Sequence, residues 1–484
     1  MINWDIRYAK AVAMLPELAD ATLTILEVGA GGGGLRRYCP RNIIGVELDF
    51  SLATGARPWG VVARAGRLPF PDRSVDVVLA MDLLEHLSPE ERKHSLAEMA
   101  RVSRGRVLVG GPLGAFAAWG DARYHDFLCQ RGQAVPRWLA EHLSRGIPSV
   151  AEILHILDDL ALDYRIHANE TLIQHYAGVL ADEVPFLAQV NATFRNKRPD
   201  ISPLGADERD VPYSYLVDIR ARKSVPAAPA NPSPAAPLGA PRSVSIYFPA
   251  QLRHPSMQSI AHHIPFPAAS AAPIGLAAGG TLAAIHAVWR KEHCGSHVGF
   301  CHPNRFFDFS SPTGGRRTTL LANDADLRRH LPSITAIEQY SDALAGNTVL
   351  VAMTEPARPT VAERYMHDHF AGHYLAAINL LLEDCPHLRP YIRQQFSDDR
   401  LFGGSMFICR VDFFHQLCHW LFPLLERTRL WLGIAARHDI PLLDSLLERM
   451  LSLYFSWKFD TGTERAELSL FAVDGTAFPK NLHP

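Results

Sequence analysis

The sequence lacks the features that mark membrane-spanning, exported and disulfide-stabilised chains. No apolar run reaches the roughly 18 residues that a membrane-spanning helix requires, and no basic stretch followed by an apolar one opens the N-terminus. The seven cysteines are odd in number and form no Cys-x-x-Cys pair, which favours reduced thiols. These absences predict a cytoplasmic protein without a transmembrane segment, with peripheral attachment at the inner face of the membrane as an alternative.

An excess of charge of one sign is also missing. The 48 basic and 50 acidic residues leave a net charge of −2, which gives no electrostatic reason to expect nucleic acid as a partner. A chain of 484 residues is too long for one ordinary core, so two domains are expected.

Proline is concentrated in one segment that divides the chain. Residues 224–243 contain six prolines between Pro226 and Pro241, a density that prevents helix and sheet formation and favours an extended spacer. A proline-rich ligand for a partner domain is the alternative interpretation. We therefore predict domains at 1–222 and 244–484, joined by a linker at 223–243.

The densest glycine cluster follows an apolar run. Residues 21–34 read Ala-Thr-Leu-Thr-Ile-Leu-Glu-Val-Gly-Ala-Gly-Gly-Gly-Gly, which is typical of a strand that ends in a tight turn. The spacing Gly29-x-Gly31-x-x-Gly34 also fits the dinucleotide fingerprint, so the motif alone leaves open NAD, another adenosyl ligand or an ordinary turn.

Two acids favour a ligand other than NAD. Glu27, two residues before the first glycine, would repel a pyrophosphate but attract the ammonium group of a methionine moiety. Glu47 lies 20 residues further on, where an acid can bind two ribose hydroxyls.

The first half alternates between strand-like and helix-like segments. Strands are predicted at 22–28, 42–46, 60–63, 75–80, 106–109, 163–168 and 213–219, and helices at 138–145 and 150–160. This alternation predicts an α/β fold with a doubly wound parallel sheet. Ligands of such sheets bind at the carboxyl ends of the strands, so Glu27, Glu47, Met81 and Asp82 are expected to face one crevice.

The motifs of residues 21–112 resemble, in their order, those of the class I S-adenosylmethionine-dependent methyltransferases. After the glycine turn come Leu68-Pro69-Phe70, then Val75-Asp76-Val77-Val78, then Met81-Asp82-Leu83-Leu84-Glu85-His86-Leu87. The resemblance implies a Rossmann-like sheet and S-adenosylmethionine as cofactor. It places the methionine moiety at Glu27, Gly29, Gly31 and Gly33, and the ribose at Glu47. Family members usually carry an acid before the Leu-Pro-Phe segment that helps to hold adenine, and residues 63–67 contain none.

Two histidines are candidates for a general base, which methylation of a hydroxyl requires. His86 belongs to the segment after the fourth predicted strand, and His125 follows the fifth. The alternative interpretations are that His86 packs against the cofactor and that His125 is a polar cap or a surface contact.

The second half resembles a glycosyltransferase-like domain of bacterial capsule and O-antigen gene clusters, across most of residues 244–457. The segments that carry the resemblance are a strand at 244–248, a helix at 281–289 that ends in Trp, residues 298–309, a strand that includes Met406-Phe407-Ile408, and helices at 412–425 and 445–450. The resemblance implies a mixed α/β domain and a sugar nucleotide as a candidate ligand, with His302 and Arg305 as candidate contacts. Pro303-Asn304, Thr281 and Ser405 depart from the family's pattern, which predicts weak or no sugar transfer.

No metal site is expected from the sequence. Asp324-x-Asp326 has the spacing of a metal–diphosphate motif, but a helix N-terminus is the favoured interpretation. His367, His369 and His373 are interpreted as solvated or core histidines within one helical stretch, because no cysteine or acid pattern accompanies them.

The sequence as a whole predicts a methyltransferase of glycan assembly. It is expected to O-methylate a sugar hydroxyl of a bacterial surface polysaccharide or glycolipid and, with its glycosyltransferase-like domain, to be a candidate bifunctional transferase. One alternative is that the second domain binds glycan without catalysis. The other is an NAD-dependent oxidoreductase.

Overall fold

The chain forms two compact units. The first comprises Met1–Ala227 with Ala362–Arg389, and the second Ala228–Val361 with Pro390–Pro484. The structure, a computed structural model, describes residues 2–31, 34–39, 43–50, 59–183, 211–221, 244–249, 263–266, 281–290, 296–301, 305–310, 318–321, 324–346, 348–352, 354–356, 360–402, 405–431 and 440–473. The predicted linker at 223–243 lies outside the described residues, and the predicted domain boundaries stay predictions.

The first unit is built on a seven-stranded sheet with the order β3-β2-β1-β4-β5-β7-β6. Its strands are β1 (Ile25–Val28), β2 (Ile44–Glu47), β3 (Trp59–Val62), β4 (Val75–Met81), β5 (Ser103–Pro112), β6 (Leu162–Ala168) and β7 (Ser214–Ala221). The first five strands are parallel, and β7 is antiparallel to both of its neighbours. The strand order reverses between β1 and β4, so the predicted doubly wound sheet is confirmed, and its ligand crevice is expected there.

Helices and short 3-10 turns connect these strands. The described α-helices are α1 (Ile2–Met14), α2 (Pro89–Val102), α3 (Gly114–Gln130), α4 (Arg137–Arg145), α5 (Val150–Asp159), α6 (Leu172–Glu183), α7 (Thr281–Trp289), α8 (Asp324–Thr335), α9 (Ser341–Ala345), α10 (Val361–Asp368), α11 (Ala371–Asp384), α12 (Arg389–Gln395), α13 (Val411–Trp431) and α14 (Ile440–Asp460). The 3-10 turns are Pro16–Ala19, Gly34–Arg37, Leu84–His86, Ile337–Tyr340 and Pro386–Leu388. None of the described helices is long and apolar enough to cross a membrane.

The central strands of the first unit are buried because helices cover the sheet. All four residues of β1 are buried, as are all residues of β4 except Asp76. Tyr8 of α1 and Leu35 pack in one core cluster with Ile25, Val77 and Leu79 of these strands. Continuous apolar strands are typical of parallel sheets covered on their faces, which explains why β1 and β4 could be predicted from composition.

One segment from the second half of the sequence belongs to the first unit. Helix α11 packs on β6, where the Asn379 side chain accepts a hydrogen bond from the Ile166 backbone N–H at 2.8 Å and donates one to its carbonyl at 2.8 Å. The Arg389 guanidinium donates to the Leu162 carbonyl at 3.0 Å and to Asp163 at 2.7 Å. Because β6 is an edge strand of the described sheet, these side chains satisfy backbone groups that none of the described strands pairs.

The second unit is a mixed α/β structure, as predicted. Its strands are β8 (Val244–Pro249), β9 (His263–Phe266), β10 (His297–Phe300), β11 (Arg305–Phe307), β12 (Thr318–Leu321), β13 (Val349–Ala352), β14 (Thr354–Pro356), β15 (Arg400–Phe402), β16 (Phe407–Arg410), β17 (Arg465–Leu468) and β18 (Leu470–Val473). They form a six-stranded sheet, β17-β13-β16-β10-β8-β9, a three-stranded sheet, β11-β18-β12, and the pair β14-β15. Ile246, Leu350 and Ile408 of the larger sheet share one buried core.

Two motif interpretations in the second half can be compared with the structure. Helix α8 begins at Asp324, which confirms the helix N-terminus that was favoured there. The prediction that His367, His369 and His373 share one helical stretch is wrong, because α10 ends at Asp368 and α11 begins at Ala371. Between them Phe370 is extended, with φ −64° and ψ 121°, so the chain leaves the helical conformation there.

Candidate functional site

The glycine turn joins β1 to the next turn of 3-10 helix. Gly29 and Gly31 have φ values of +76° and +50°, a region that glycine enters without steric cost. The Gly29 N–H donates to the Val46 carbonyl at 2.9 Å, and the Gly31 N–H donates to the Glu47 carboxylate at 3.1 Å. These bonds hold the turn against the carboxyl end of β2. Gly33, the third predicted cofactor contact of the turn, lies outside the described residues.

Glu27 is buried beneath this turn. Its carboxylate accepts the Leu35 N–H at 2.8 and 3.0 Å and the Tyr8 hydroxyl at 2.8 Å. Burial raises the pKa of Glu27 to about 7, against these hydrogen bonds, which lower it. A Cβ atom at Gly34 would lie 2.2 Å from Oε2 of Glu27, so the carboxylate occupies the space that a side chain at Gly34 would need. The predicted role of Glu27 toward a ligand ammonium stays a prediction.

Glu47 ends β2 and faces the same turn. Its Oε2 accepts the Gly31 N–H at 3.1 Å and its Oε1 accepts the Leu48 N–H at 2.9 Å. A carboxylate offers about four acceptor positions, so these two bonds leave acceptor capacity for ribose hydroxyls. The predicted ribose contact is compatible with this geometry.

Met81 and Asp82 end β4 but have different surroundings. Met81 is buried in the sheet core, where its sulfur would lie 2.5 Å from a Cβ atom at Gly110. Asp82 has a φ of +50°, and its carboxylate pairs with the Arg7 guanidinium at 2.5 Å. Of the two predicted cofactor contacts, Asp82 is the one with an accessible polar side chain.

His86 belongs to the 3-10 turn after β4. Its Nδ1 lies 2.9 Å from Glu141 Oε2, and its ring lies 4.9 Å from the ring of His142, centroid to centroid. Burial lowers the pKa of His86, and the neighbouring His142 lowers it further. Glu141 also accepts a hydrogen bond from Arg137 at 2.8 Å, which fixes the carboxylate that faces the imidazole.

His142, Asp121 and Glu85 extend this polar region into the interior, and sequence reasoning missed all three. His142 Nδ1 lies 2.8 Å from Asp121 Oδ2, and its Nε2 lies 4.0 Å from Glu85 Oε1. Asp121 also accepts hydrogen bonds from the hydroxyls of Tyr213 at 2.9 Å and Tyr176 at 3.1 Å. Burial, and next the charge of Asp82, raise the pKa of Glu85 well above its ordinary value.

The polar region adjoins the cofactor crevice. A Cβ atom at Gly111, near the end of β5, would lie 3.1 Å from Glu85 Oε2 and 3.6 Å from the Asp82 Cα. The region therefore lies at the carboxyl ends of β4 and β5, where a doubly wound sheet binds its ligands. The motif at residues 81–87 that contains His86 also contains Glu85, so Glu85 could have been predicted as a site residue from the sequence. His142 carried no such signal, because only the packing of α4 on the 84–86 turn brings it there.

His125, the second candidate base, has a different setting. It lies on α3 with its side chain 38% exposed, 3.6 Å from Cys129 Sγ and 3.7 Å from Asp126. These neighbours fit the alternative interpretation of a surface contact, whereas His86 lies beside the crevice.

The predicted sugar-nucleotide residues are only partly described. Arg305 begins β11 and pairs with Ala472 of β18, while His302 and the departing Pro303-Asn304 lie outside the described residues. A polar cavity of about 180 Å³ lies elsewhere in the second unit. Its charged lining residues, which sequence reasoning missed, are Asp398, Arg400, Asp460, Arg465 and Glu467. Arg305 does not line it.

Two families match parts of the chain. Residues 26–109 match a family described as a methyltransferase domain, and residues 280–458 match a domain of unknown function, DUF4422. None of the curated proteins matches the sequence.

Solved structures resemble parts of the chain at low identity. The WbbM bifunctional glycosyltransferase is 17% identical with a TM-score of 0.40, and the match covers 48% of this chain and 46% of that one. Magnesium protoporphyrin IX methyltransferase from Synechocystis PCC 6803, with bound S-adenosylhomocysteine, is 15% identical with a TM-score of 0.28. The match covers 44% of this chain and 81% of that one. A SAM-dependent methyltransferase from Archaeoglobus fulgidus is 16% identical with a TM-score of 0.28, and the match covers 45% of this chain and 94% of that one.

The family match and the sheet agree on the identity of the first unit. The matched residues span β1 to β5, which include the glycine turn, Glu27 and Glu47. The first unit thus contains a class I methyltransferase domain whose cofactor is S-adenosylmethionine. The match of the second half is consistent with the glycosyltransferase-like resemblance of its sequence.

Proposed function

We propose that this S-adenosylmethionine-dependent methyltransferase O-methylates a sugar hydroxyl during the assembly of a surface polysaccharide or of its lipid-linked precursor. Methyl transfer from a sulfonium is an in-line displacement, so holding the donor and the acceptor in position supplies much of the rate. A hydroxyl acceptor must also lose its proton.

The observation that carries the proposal is the pair of imidazoles beside the cofactor crevice. His86 and His142 each have Nδ1 within 3 Å of a carboxylate, of Glu141 and of Asp121 respectively. In His86, whose side chain is 30% exposed, this arrangement leaves Nε2 for the acceptor side of the site. In the buried His142, Nε2 faces Glu85 Oε1 at 4.0 Å. An amine or thiol acceptor has less need of such groups, whereas an unactivated sugar hydroxyl needs them.

The second unit is proposed to bind the same glycan. Tethering a glycan-binding unit to the methyltransferase raises the local concentration of the acceptor. Its sequence lacks charge at Pro303-Asn304 and Thr281, where the resemblance places partners of a nucleotide diphosphate. We therefore expect weak or no sugar transfer, even with Mn²⁺ and the common UDP- and GDP-sugars. Robust turnover of any of these sugars would contradict that expectation.

Labelled methyl transfer tests the proposed function. The full-length protein is incubated with methyl-labelled S-adenosylmethionine and with lipid-linked glycans from its host. We expect label in the glycan as a methyl ether, which survives mild alkaline hydrolysis, whereas a methyl ester does not. Binding of NAD without binding of S-adenosylmethionine, or label only in protein or lipid, would contradict the proposal.

Three single substitutions locate the groups that remove the proton. His86→Gln is expected to lower kcat at least tenfold and to leave the affinity for S-adenosylmethionine unchanged. His155→Gln, which replaces a 60% exposed imidazole on α5, serves as the matched control and should retain full activity. His125→Gln separates the two candidate bases. A loss of activity in His125→Gln without a loss in His86→Gln would move the proton transfer to α3.

A further inference from the structure

Glu85, His86 and His142 form a compact group of potential metal ligands in the first unit. One ligand atom from each residue lies within 4.8 Å of the other two. Glu85 and His86 come from the 3-10 turn after β4, and His142 comes from α4, which packs on that turn. Two neighbouring secondary-structure elements therefore hold the ligands near one another.

Carboxylates orient both imidazoles as they do in known metal sites. His86 Nδ1 lies 2.9 Å from Glu141 Oε2, and His142 Nδ1 lies 2.8 Å from Asp121 Oδ2. Metal-bound histidines usually donate the other ring N–H to a carboxylate or carbonyl, which fixes the tautomer and the ring orientation. In both residues this leaves Nε2 to bind a cation. For His142, Nε2 is also the atom that faces Glu85 Oε1, at 4.0 Å.

Glu85 supplies an independent indication of a missing partner. Its side chain is 1% exposed, and Oε2 has no hydrogen-bond partner among the described residues. Leaving a buried carboxylate oxygen unsatisfied is costly, because no described donor replaces its lost hydration. The other oxygen of the same carboxylate, Oε1, faces His142 Nε2 at 4.0 Å, so a cation bound by this carboxylate would offset that cost.

We propose that Glu85, His86 and His142 bind one divalent transition-metal ion. Two neutral imidazoles and one carboxylate favour Zn²⁺, Co²⁺, Mn²⁺ or Fe²⁺ over Mg²⁺ and Ca²⁺, which prefer oxygen ligands. Zn²⁺ bonds to nitrogen at about 2.0–2.1 Å, so the ligand atoms must close around the ion by roughly 1 Å. The His86 side chain is 30% exposed and can make that movement. Three protein ligands leave a coordination position open on the exposed side.

The chemical role of the ion rests on the proposed function. A sugar hydroxyl in the open position would have its pKa lowered by coordination and would release its proton to water. The oxygen would then form a bond to the methyl carbon as the carbon–sulfur bond of S-adenosylmethionine breaks, giving a methyl ether and S-adenosylhomocysteine. In this scheme His86 and His142 promote loss of the proton through the ion.

Cobalt binding by the chelator-stripped, full-length protein tests the site without any acceptor. We expect one Co²⁺ per chain that survives dialysis, with the visible d–d absorption of a low-coordinate nitrogen–oxygen site, and displacement by one equivalent of Zn²⁺. Glu85→Gln and His86→Gln should each weaken binding at least tenfold, and His155→Gln should not. Retained S-adenosylmethionine binding by each variant shows that it is folded.

Two results would overturn the proposal. The first is that the stripped wild-type protein retains no Co²⁺, which would leave His142 with only its hydrogen bond to Asp121. The second is that Glu85→Gln and His86→Gln bind Co²⁺ as the wild type does, which would place the ion elsewhere. Failure of the proposed function is recognised separately. Metal binding at the site without methyl transfer to any glycan contradicts the acceptor, and methyl transfer unaffected by chelation contradicts the catalytic role of the ion.

Discussion

The substitution Gly34→Ala should disrupt the cofactor turn through a single atom. The added Cβ would lie 2.2 Å from Oε2 and 2.4 Å from both Cδ and Oε1 of Glu27, and the backbone at Gly34 has a φ of +41°. The carboxylate cannot move away freely, because it accepts hydrogen bonds from the Leu35 N–H and the Tyr8 hydroxyl at 2.8 Å each.

The magnitude follows from these two effects. The left-handed conformation costs a residue with a Cβ atom about 1–2 kcal/mol. Displacing Glu27 from one hydrogen bond to its carboxylate costs about 1.5–3 kcal/mol more. We therefore expect Gly34→Ala to lower the free energy of unfolding by about 3–4 kcal/mol and to weaken S-adenosylmethionine binding at least tenfold. Urea denaturation and isothermal titration calorimetry measure the two quantities.

Gly132→Ala is the matched control, because Gly132 has a φ of +62° and no atom within 4 Å of its Cβ position. It should show only the conformational cost. The double variant Glu27→Ala/Gly34→Ala adds a second test, since removing the carboxylate makes room for the Cβ atom. Its loss of stability should be smaller than the sum of the two single losses. If Gly34→Ala costs no more than Gly132→Ala, or if the double variant is additive, the steric argument is refuted.

Three further predictions concern pH, one buried amide and the linker. The pKa of Glu27 is raised to about 7, and a bound ammonium would favour its ionised form. The affinity for S-adenosylmethionine should therefore fall by up to about tenfold per pH unit below 7. In calorimetric titrations, Glu27→Gln should flatten this pH profile. In the unliganded protein, the same raised pKa means that this group's contribution to stability decreases as pH rises from about 4.5 to 7, which Glu27→Gln should abolish in urea denaturation. Asn379→Ala should lower the free energy of unfolding by about 2–4 kcal/mol, because it leaves the N–H and C=O of one β6 residue unpaired. The control Gln394→Ala removes an exposed side-chain hydrogen bond and should change the free energy of unfolding by less than about 0.5 kcal/mol. Limited proteolysis should cut the chain within 223–243. The two fragments should still co-elute from a native sizing column, because residues 362–389 belong to the first unit. Fragments that elute separately would contradict this prediction.

The parts of the fold that the sequence predicted well are those with local signals. The predicted strand 75–80 and the observed Val75–Met81 nearly coincide, because a parallel strand buried on both faces is a continuous apolar run. The start of α2 also has a local signal, since Ser88, Pro89 and Glu91 form a capping box with a first-turn proline. Such signals lie within a few residues of the elements that they specify.

The parts that the sequence did not predict depend on contacts between distant residues. Asp121 and His142 form a buried pair only because α3 and α4 pack together, and neither residue stands in a recognisable motif. The placement of 362–389 in the first unit also depends on contacts between residues that are distant in sequence. An apolar helix such as α11 shows that it needs a buried surface, but its composition does not show which sheet provides that surface.

The position of α11 in the chain also affects how the protein folds during synthesis. The first unit includes a helix that leaves the ribosome long after β7, the last strand of its sheet. Until then no described element covers the outer edge of β6, and an unpaired strand edge is a template for pairing with other chains. During synthesis, the strands of the first sheet are therefore complete before α11 is available to cover β6. We expect chaperone binding to protect the nascent chain from aggregation most at that stage.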